Sequence, residues 1–336
     1  MWKRIKNLHI LVKLMIIIDF IIVLCFAFVY GPVDYAKVFW ITTSMGTANH
    51  QYLANIFYSE NTIKEVMSQN YMIELDEDTD ASSITIGQEE KITSFSSVYE
   101  KQILEREEGA LYKLIQFKYK EFDCHMIAIY DPKRVEVAYN SKVNRGKILS
   151  EMIKNSNAIL GINGGGYSWS NGYPRGLIVH DGKIVYSSGT GKFVTGAINY
   201  DGVLIVGNLS ASDVKAKNIK EAVSFGPALI VNGKAATFKG NGGTGLNPRT
   251  VIAQRKDGII LFLVVNGYGS KLSWKGRGGV YVTDLITILQ RYNAYNAVNL
   301  DGGSSTTMVI GNKLINDPCE PQQNGQDFIR SAWVLK

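Results

Sequence analysis

The 336-residue chain holds only four histidines and three cysteines, and this scarcity removes several chemistries at once. His9 and His50 lie in or beside an apolar N-terminal segment, while His125 and His180 fall inside strand-like runs, poor places for a catalytic base. No Gly-x-Ser-x-Gly elbow presents a nucleophile, because Ser304 and Ser305 lack the flanking glycines; this argues against a serine hydrolase. Zinc signatures are missing as well, with neither His-Glu-x-x-His nor paired Cys-x-x-Cys. No cofactor is required by the sequence, but calcium or magnesium held by Asp and backbone oxygens stays open. The chain also lacks a long basic stripe interleaved with aromatics. Its formal charge of +6 is mild and owes much to Lys3, Arg4, Lys6 and Lys13, so no nucleic-acid partner is expected.

What is present begins with an apolar run, Met15 to Tyr30 (MIIIDFIIVLCFAFVY), behind that basic stretch. No Ala-x-Ala site follows it, and Leu24 before Cys25 is too large for a lipoprotein signal. An uncleaved single-pass anchor is expected, basic end inside and the remainder outside. Asp19 works against it, since a carboxylate at mid-membrane costs about 2.5–3.5 kcal/mol, but it lies off-centre. With Cys25 in the anchor, Cys124 and Cys319 stand on the outer side as either a disulfide or two buried thiols.

Beyond the anchor, Asn49 to Asn70 carries Leu53, Ile56, Phe57, Ile63 and Val66 at near-helical spacing and predicts one or two amphipathic helices. Glu74 to Asp80 (ELDEDTD) reads as a flexible acidic link. From about Leu111 the texture becomes β. Phe117 to Asn140 shows two strand-like runs around Asp131-Pro132. Leu177 to Tyr186, Gly196 to Gly207, Ala228 to Phe238 and Val251 to Val265 are hairpins signalled by Asp-Gly or Asn-Gly between β-branched residues. Lys147 to Ser156 and Val282 to Tyr292 predict helices, the second with Thr283 as N-cap and Asp284 in its first turn. The expected organisation is a basic tail and anchor (1–33), a helical stalk and acidic linker (34–110), and one large domain (111–336). Its fold class is α+β, a mixed, mostly antiparallel sheet core with a few flanking helices.

Five glycine-rich polar loops follow apolar runs: Ala158 to Gly176, Phe225 to Lys234, Gly245 to Ala253, Asn266 to Gly279, and Leu300 to Thr306. Glycine lets backbone N–H groups approach an anion, Arg249 offers a planar fork for two phosphate oxygens, and Asp301 offers a carboxylate at a strand end. Asp181, Asp201 and Asp257 also precede glycine, all in apparent turns. On spacing alone Asp301 is as readily a turn residue as a functional one, and Arg249 is more often a surface ion-pair partner than a ligand.

Taken jointly and in order, INGGGY, GPALIVNG, NPRTVIA, the helix opening at Val282 and NAVNLDGGSSTTMV closely resemble the phosphodiester glycosidase family, over about Leu111 to Lys336. That family includes the enzyme that uncovers mannose 6-phosphate by removing N-acetylglucosamine from a phosphodiester, and bacterial exopolysaccharide-related proteins. The resemblance implies hydrolysis of the sugar C1–O bond of a sugar-1-phosphodiester on a glycan. It implies catalytic roles for Asp301, Arg249 and Asp284, and substrate-binding roles for Asn163, Gly164, Gly165, Gly302, Gly303, Ser304 and Ser305. Many relatives have Glu where Asp284 stands, and often one more glycine after the Asp. The anchored layout resembles surface proteins of Gram-positive bacteria. The alternative is a non-catalytic module that binds phosphate-bearing wall polysaccharide through the same Arg and glycine loops.

Overall fold

The computed structural model describes the chain except residues 1, 32–33, 48–49, 74, 76, 88–93, 270–277 and 320–322. Most of the fourth glycine-rich loop therefore lies outside the described residues. The chain divides into two compact units, Met1–Tyr71 with Gly243–Gly245, and Met72–Gly242 with Leu246–Lys336.

The first unit is helical. A 29-residue helix, Trp2–Tyr30, contains the run Ile10–Ala27, which is long and apolar enough to cross a membrane and has none of its surface buried. The helices Asp34–Met45, Tyr52–Phe57 and Glu60–Ser68 follow. The last two are the expected amphipathic pair. Ser59 separates them because its Oγ accepts the Thr62 N–H at 3.2 Å, an N-cap that restarts the helix. Ile41, Ala54, Ile63 and Val66 close a small core. Ile56, expected on the apolar face, is instead exposed.

The second unit is built from three sheets. The seven-stranded sheet runs Lys234–Ala235, Ala228–Val231, Ala294–Asn299, Arg249–Arg255, Ile260–Val265, Phe122–Ile129, Tyr112–Tyr119. One five-stranded sheet runs Lys183–Ser187, Leu177–His180, Ile219–Ser224, Phe193–Asn199, Leu204–Leu209. The other runs Lys313–Leu314, Met308–Ile310, Leu160–Asn163, Ser331–Leu335, Val135–Tyr139. Every neighbouring pair in these sheets is antiparallel.

The larger sheet is buried on both faces, which explains the unbroken apolar run Ile260–Val265. Leu261, Leu263 and Val265 pack with Val282, Leu285 and Leu289 of the helix Val282–Arg291. Ile260, Phe262 and Val264 pack with Ile162, Ile198 and Trp333 of the smaller sheets. Each such side chain contributes roughly 1.5–3 kcal/mol on burial. The period of two is thus present in the packing but invisible in hydropathy.

The four expected hairpins form. Two of them turn on left-handed pairs, Asp181 (φ 49°) with Gly182 (φ 69°) and Asn232 (φ 52°) with Gly233 (φ 77°), as a tight two-residue turn requires. The helices Leu149–Ser156 and Val282–Arg291 also form. The second is capped at Tyr281, two residues earlier than Thr283: the Asp284 carboxylate accepts the Tyr281 N–H at 3.1 Å and so fixes the start there.

One further expectation changes, and one open alternative is decided. The described part of the acidic stretch packs on this unit rather than running free. Thr79 Oγ1 accepts the Val206 N–H at 2.9 Å and donates to the Val206 carbonyl at 3.0 Å, and Asp80 N–H donates to Asn232 Oδ1 at 2.8 Å. Cys124 is a buried free thiol, not half of a disulfide with Cys319; burial pushes it up to about 12.

Candidate active site

Arg249 opens its strand, and Asp301 lies two residues past the end of the neighbouring strand Ala294–Asn299. In their antiparallel ladder Val251 pairs with Asn299. The pairing continues beyond the strand, with Leu300 N–H donating to the Thr250 carbonyl at 2.8 Å. Beyond that bond the ladder ends, and Gly303 N–H donates to the Pro248 carbonyl at 3.0 Å, which brings the turn after Asp301 beside the start of the Arg249 strand.

The next residues explain the glycines. A Cβ on Gly302 would meet the Pro248 carbonyl oxygen at 2.6 Å, so only glycine lets the chain pass there. The Arg249 Cδ would lie 3.8 Å from that Cβ, so its side chain runs past the turn that follows Asp301. Arg249 is buried, and its Nε donates to the Val280 carbonyl at 3.1 Å. Burial lowers its guanidinium to about 10, and the nearby Asp284 charge opposes the shift, so it remains a cation at neutral pH.

Asn163 is fully buried at the end of its strand. Its Nδ2 donates to the Asp301 carbonyl at 2.7 Å, and its Oδ1 accepts the Thr250 hydroxyl at 2.7 Å and the Thr307 N–H at 3.1 Å. The family resemblance implied a substrate-binding role; in the structure this side chain instead ties three segments together and holds the backbone of Asp301.

The glycine amides named as substrate donors are likewise occupied within the protein. Gly164 N–H donates to the Ser331 carbonyl at 2.8 Å and Gly165 N–H to Ser331 Oγ at 3.1 Å. Gly302 N–H donates to Asp301 Oδ1 at 3.0 Å, orienting the carboxylate, and Gly303 N–H to the Pro248 carbonyl at 3.0 Å. A phosphate nest from these four amides is therefore not built. Ser304 Oγ donates to Asp327 at 2.9 Å, and Ser305 is buried with its N–H on the Gly302 carbonyl at 3.3 Å. The backbone that faces the carboxylate is Gly166, whose Cβ position lies 3.5 Å from Asp301 Cγ.

Asp284 is a brace rather than an open acid. Besides the Tyr281 N–H, it accepts Tyr119 Oη at 3.1 Å and Lys120 Nζ at 2.9 Å. It thereby fixes the helix start next to Val280, the residue whose carbonyl holds Arg249.

Several neighbours carried no sequence signal of their own. The Arg330 guanidinium lies 3.7 Å over the Tyr167 ring, and its Nε donates to the Gly172 carbonyl at 2.8 Å. Burial raises the Tyr167 phenol, the Asp327 charge adds to this, Arg330 opposes it, and Asp301 raises it further. Tyr167 therefore stands in the field of Asp301. Asn299 Oδ1, Thr306 Oγ1 and Thr307 Oγ1 are buried without a hydrogen-bond partner among the described residues.

A separate donor cluster, Glu136, His180 and Glu221, has ligand atoms within 4.8 Å of one another. Its capacity is largely used. Glu221 accepts the Val137 N–H at 2.8 Å, the Asp181 N–H at 3.2 Å and contacts His180 Nδ1 at 3.0 Å. Glu136 pairs with Lys336 at 2.8 Å and Lys220 at 3.5 Å. Two ammonium groups at one carboxylate make this an ion-pair network that joins strands, a poor cation site.

A carboxylate whose following turn passes a buried arginine, on an antiparallel α+β scaffold and with no histidine bonded to either among the described residues, is the arrangement the structure presents. Residues 156–335 match the family model described as phosphodiester glycosidase, and the chain belongs to that family. An uncharacterised SPbeta prophage-derived protein of Bacillus subtilis, YomE, is 30% identical over 190 residues, 54% of this chain and 28% of that protein. The mouse N-acetylglucosamine-1-phosphodiester alpha-N-acetylglucosaminidase is 26% identical over 179 residues, 48% of this chain and 34% of the enzyme. The chain thus spans about a third of the length of these curated relatives. The fold is shared with the zebrafish enzyme's catalytic domain, solved in a form auto-inhibited by its pro-peptide. The TM-score is 0.57 at 22% identity, covering 68% of this chain and 85% of that one.

Proposed function

We propose that the chain is a hydrolase that cleaves the C1–O bond of a sugar-1-phosphodiester, with Asp301 at the anomeric carbon and Arg249 on the phosphate. Glycoside cleavage passes through an oxocarbenium-like state that a carboxylate stabilises as nucleophile, base or electrostatic partner. A phosphate monoester leaves readily without a strong general acid, which suits a site with no histidine beside the carboxylate. The observation that carries this reading is the close approach of the turn after Asp301 to Pro248 and to the Arg249 side chain. Asn163 and Asp284 then act as positioning residues, the first on the Asp301 backbone and the second on the Val280 anchor of Arg249.

The helix containing Ile10–Ala27 is long and apolar enough to serve as a membrane anchor, and we propose that this unit lies outside and acts on a cell-wall or exopolysaccharide glycan of a Gram-positive bacterium. The test is free-sugar release from the methyl phosphodiester of N-acetylglucosamine by the full chain in detergent. Release that falls at least about a thousandfold in Asp301→Asn, at unchanged melting temperature, supports the enzyme. Saturable binding with no release by wild-type protein identifies a non-catalytic glycan-binding module instead.

A further inference from the structure

The loop that leaves Gly166 carries a row of aromatics that the chemistry above does not use. Tyr167 follows the glycine that faces Asp301, Trp169 sits at the tip, and Tyr173 lies on the return arm. Tyr167 is bridged to Pro174, Ser168 N–H donates to the Tyr173 carbonyl at 2.8 Å, and Gly172 N–H donates to the Ser168 carbonyl at 2.7 Å. Arg175 N–H closes the base on the Gly166 carbonyl at 3.0 Å, and Arg330 clamps it through Gly172. The loop is therefore ordered before any ligand arrives, and little conformational entropy remains to be lost on binding.

This rigid loop holds its largest apolar group in water. Trp169 is 64% exposed and Tyr173 39%. The Tyr167 and Trp169 rings are parallel to within 3° with centroids 6.4 Å apart, an offset stack that still leaves most of the indole in water. Tyr173 stacks with Tyr186 at 5.7 Å. A single exposed aromatic needs no explanation, but parallel rings on a braced loop that starts at the carboxylate do. The apolar C–H face of a pyranose fits a flat, open indole, and its hydroxyls reach water or the flanking phenols.

We propose that Trp169, flanked by Tyr167 and Tyr173, is a stacking platform for a second pyranose ring, next to the one whose anomeric carbon faces Asp301. The inference rests on the proposed reading of Asp301 and specifies its substrate as an oligosaccharide or polysaccharide phosphodiester rather than an isolated sugar phosphate.

The test compares two probes on the full chain: the methyl phosphodiester of N-acetylglucosamine, and the same ester on a trisaccharide of that sugar. Wild-type protein should show a KM at least about tenfold lower for the longer probe, equivalent to roughly 1.4 kcal/mol. Trp169→Ala should remove that preference while leaving kcat/KM for the short probe within about twofold, and Trp169→Phe should restore part of it. Tyr200→Ala, which removes an aromatic that is 47% exposed in a turn, serves as the control and should change neither probe. A wild-type enzyme with no length preference, or a Trp169→Ala variant that keeps it, overturns the proposal. If neither probe is turned over, the reading of Asp301 fails, and calorimetric binding of the trisaccharide still decides the platform: weakening of about tenfold in Trp169→Ala supports it, while equal affinity or no binding overturns it. A Trp169→Ala change that alters self-association in light scattering assigns the face to a protein contact and also overturns it.

Discussion

The side-chain amide of Asn163 donates to the main-chain carbonyl of Asp301 at 2.7 Å, while its other atom accepts from Thr250, the neighbour of Arg249, at 2.7 Å. One buried residue thus fixes both sides of the proposed reaction centre. Asn163→Ala leaves the Thr250 hydroxyl and two backbone groups without partners. At roughly 1–3 kcal/mol for a buried group left unsatisfied, the melting temperature should drop by several degrees, and kcat should fall with little change in KM. Calorimetry with steady-state kinetics checks this; an unchanged kcat would remove Asn163 from its positioning role.

Arg249 is required as a fork, not only as a charge. Arg249→Lys keeps the cation but cannot hold both the Val280 carbonyl and two phosphate oxygens. The expected loss in kcat/KM is about ten- to a hundredfold, from roughly 1.5–3 kcal/mol of charged hydrogen bonding. Because burial lowers the guanidinium only to about 10, wild-type activity should show no loss from this group until the pH approaches that value. A pH–rate profile with a basic limb near neutrality, abolished in Arg249→Lys, would contradict this.

Asp284 and Asp301 should separate cleanly. Asp284→Ala loses the cap on Tyr281 and the contact with Lys120, so it should destabilise the unit by about 1 kcal/mol and reduce turnover modestly. Asp301→Asn should leave melting unchanged and abolish turnover. Thermal melts paired with assays distinguish them; equal losses of turnover at equal stability would return Asp284 to the chemistry.

The parts of this protein that repeat local rules were legible in its sequence. Asp181-Gly182 and Asn232-Gly233 announce tight turns because the φ values they need are cheap there, and the helix Val282–Arg291 shows its buried stripe in Leu285, Ile288 and Leu289. Site geometry was less legible. Asp301 looks like any Asp-Gly turn until the fold brings Pro248 and the Arg249 side chain against the glycine that follows it, a relation between residues far apart in the chain. The glycines after Asn163 and Asp301 have the spacing of anion donors, yet the N–H groups of Gly164, Gly165, Gly302 and Gly303 bond to Ser331, Pro248 and the Asp301 carboxylate. Glycine marks close approach of backbones as readily as an open nest, and only the structure separates the two. Arg330 carried no signal, since its contacts with Gly172 and Tyr167 are long-range.

The Glu221 network predicts a pH dependence of stability. Burial raises the Glu221 carboxyl above its ordinary 4.5, although the Val137 and Asp181 amides and His180 pull it back. A carboxyl raised in the folded state favours folding below its unfolded value and loses that contribution as pH rises through the folded one. Wild-type stability should therefore decline as pH climbs from about 4.5 through the raised value, and Glu221→Gln should lack this component. Denaturant melts across that range check it; parallel curves for the two proteins would contradict it.

The central claim is that the carboxylate of Asp301 acts at carbon. Hydrolysis of the sugar-1-phosphodiester in oxygen-18 water, followed by mass spectrometry of both products, tests it most directly. Cleavage of the C–O bond puts the label in the released sugar and leaves the phosphate monoester unlabelled, and this is the result the account predicts. Label in the phosphate, with none in the sugar, would mean attack at phosphorus and would contradict it.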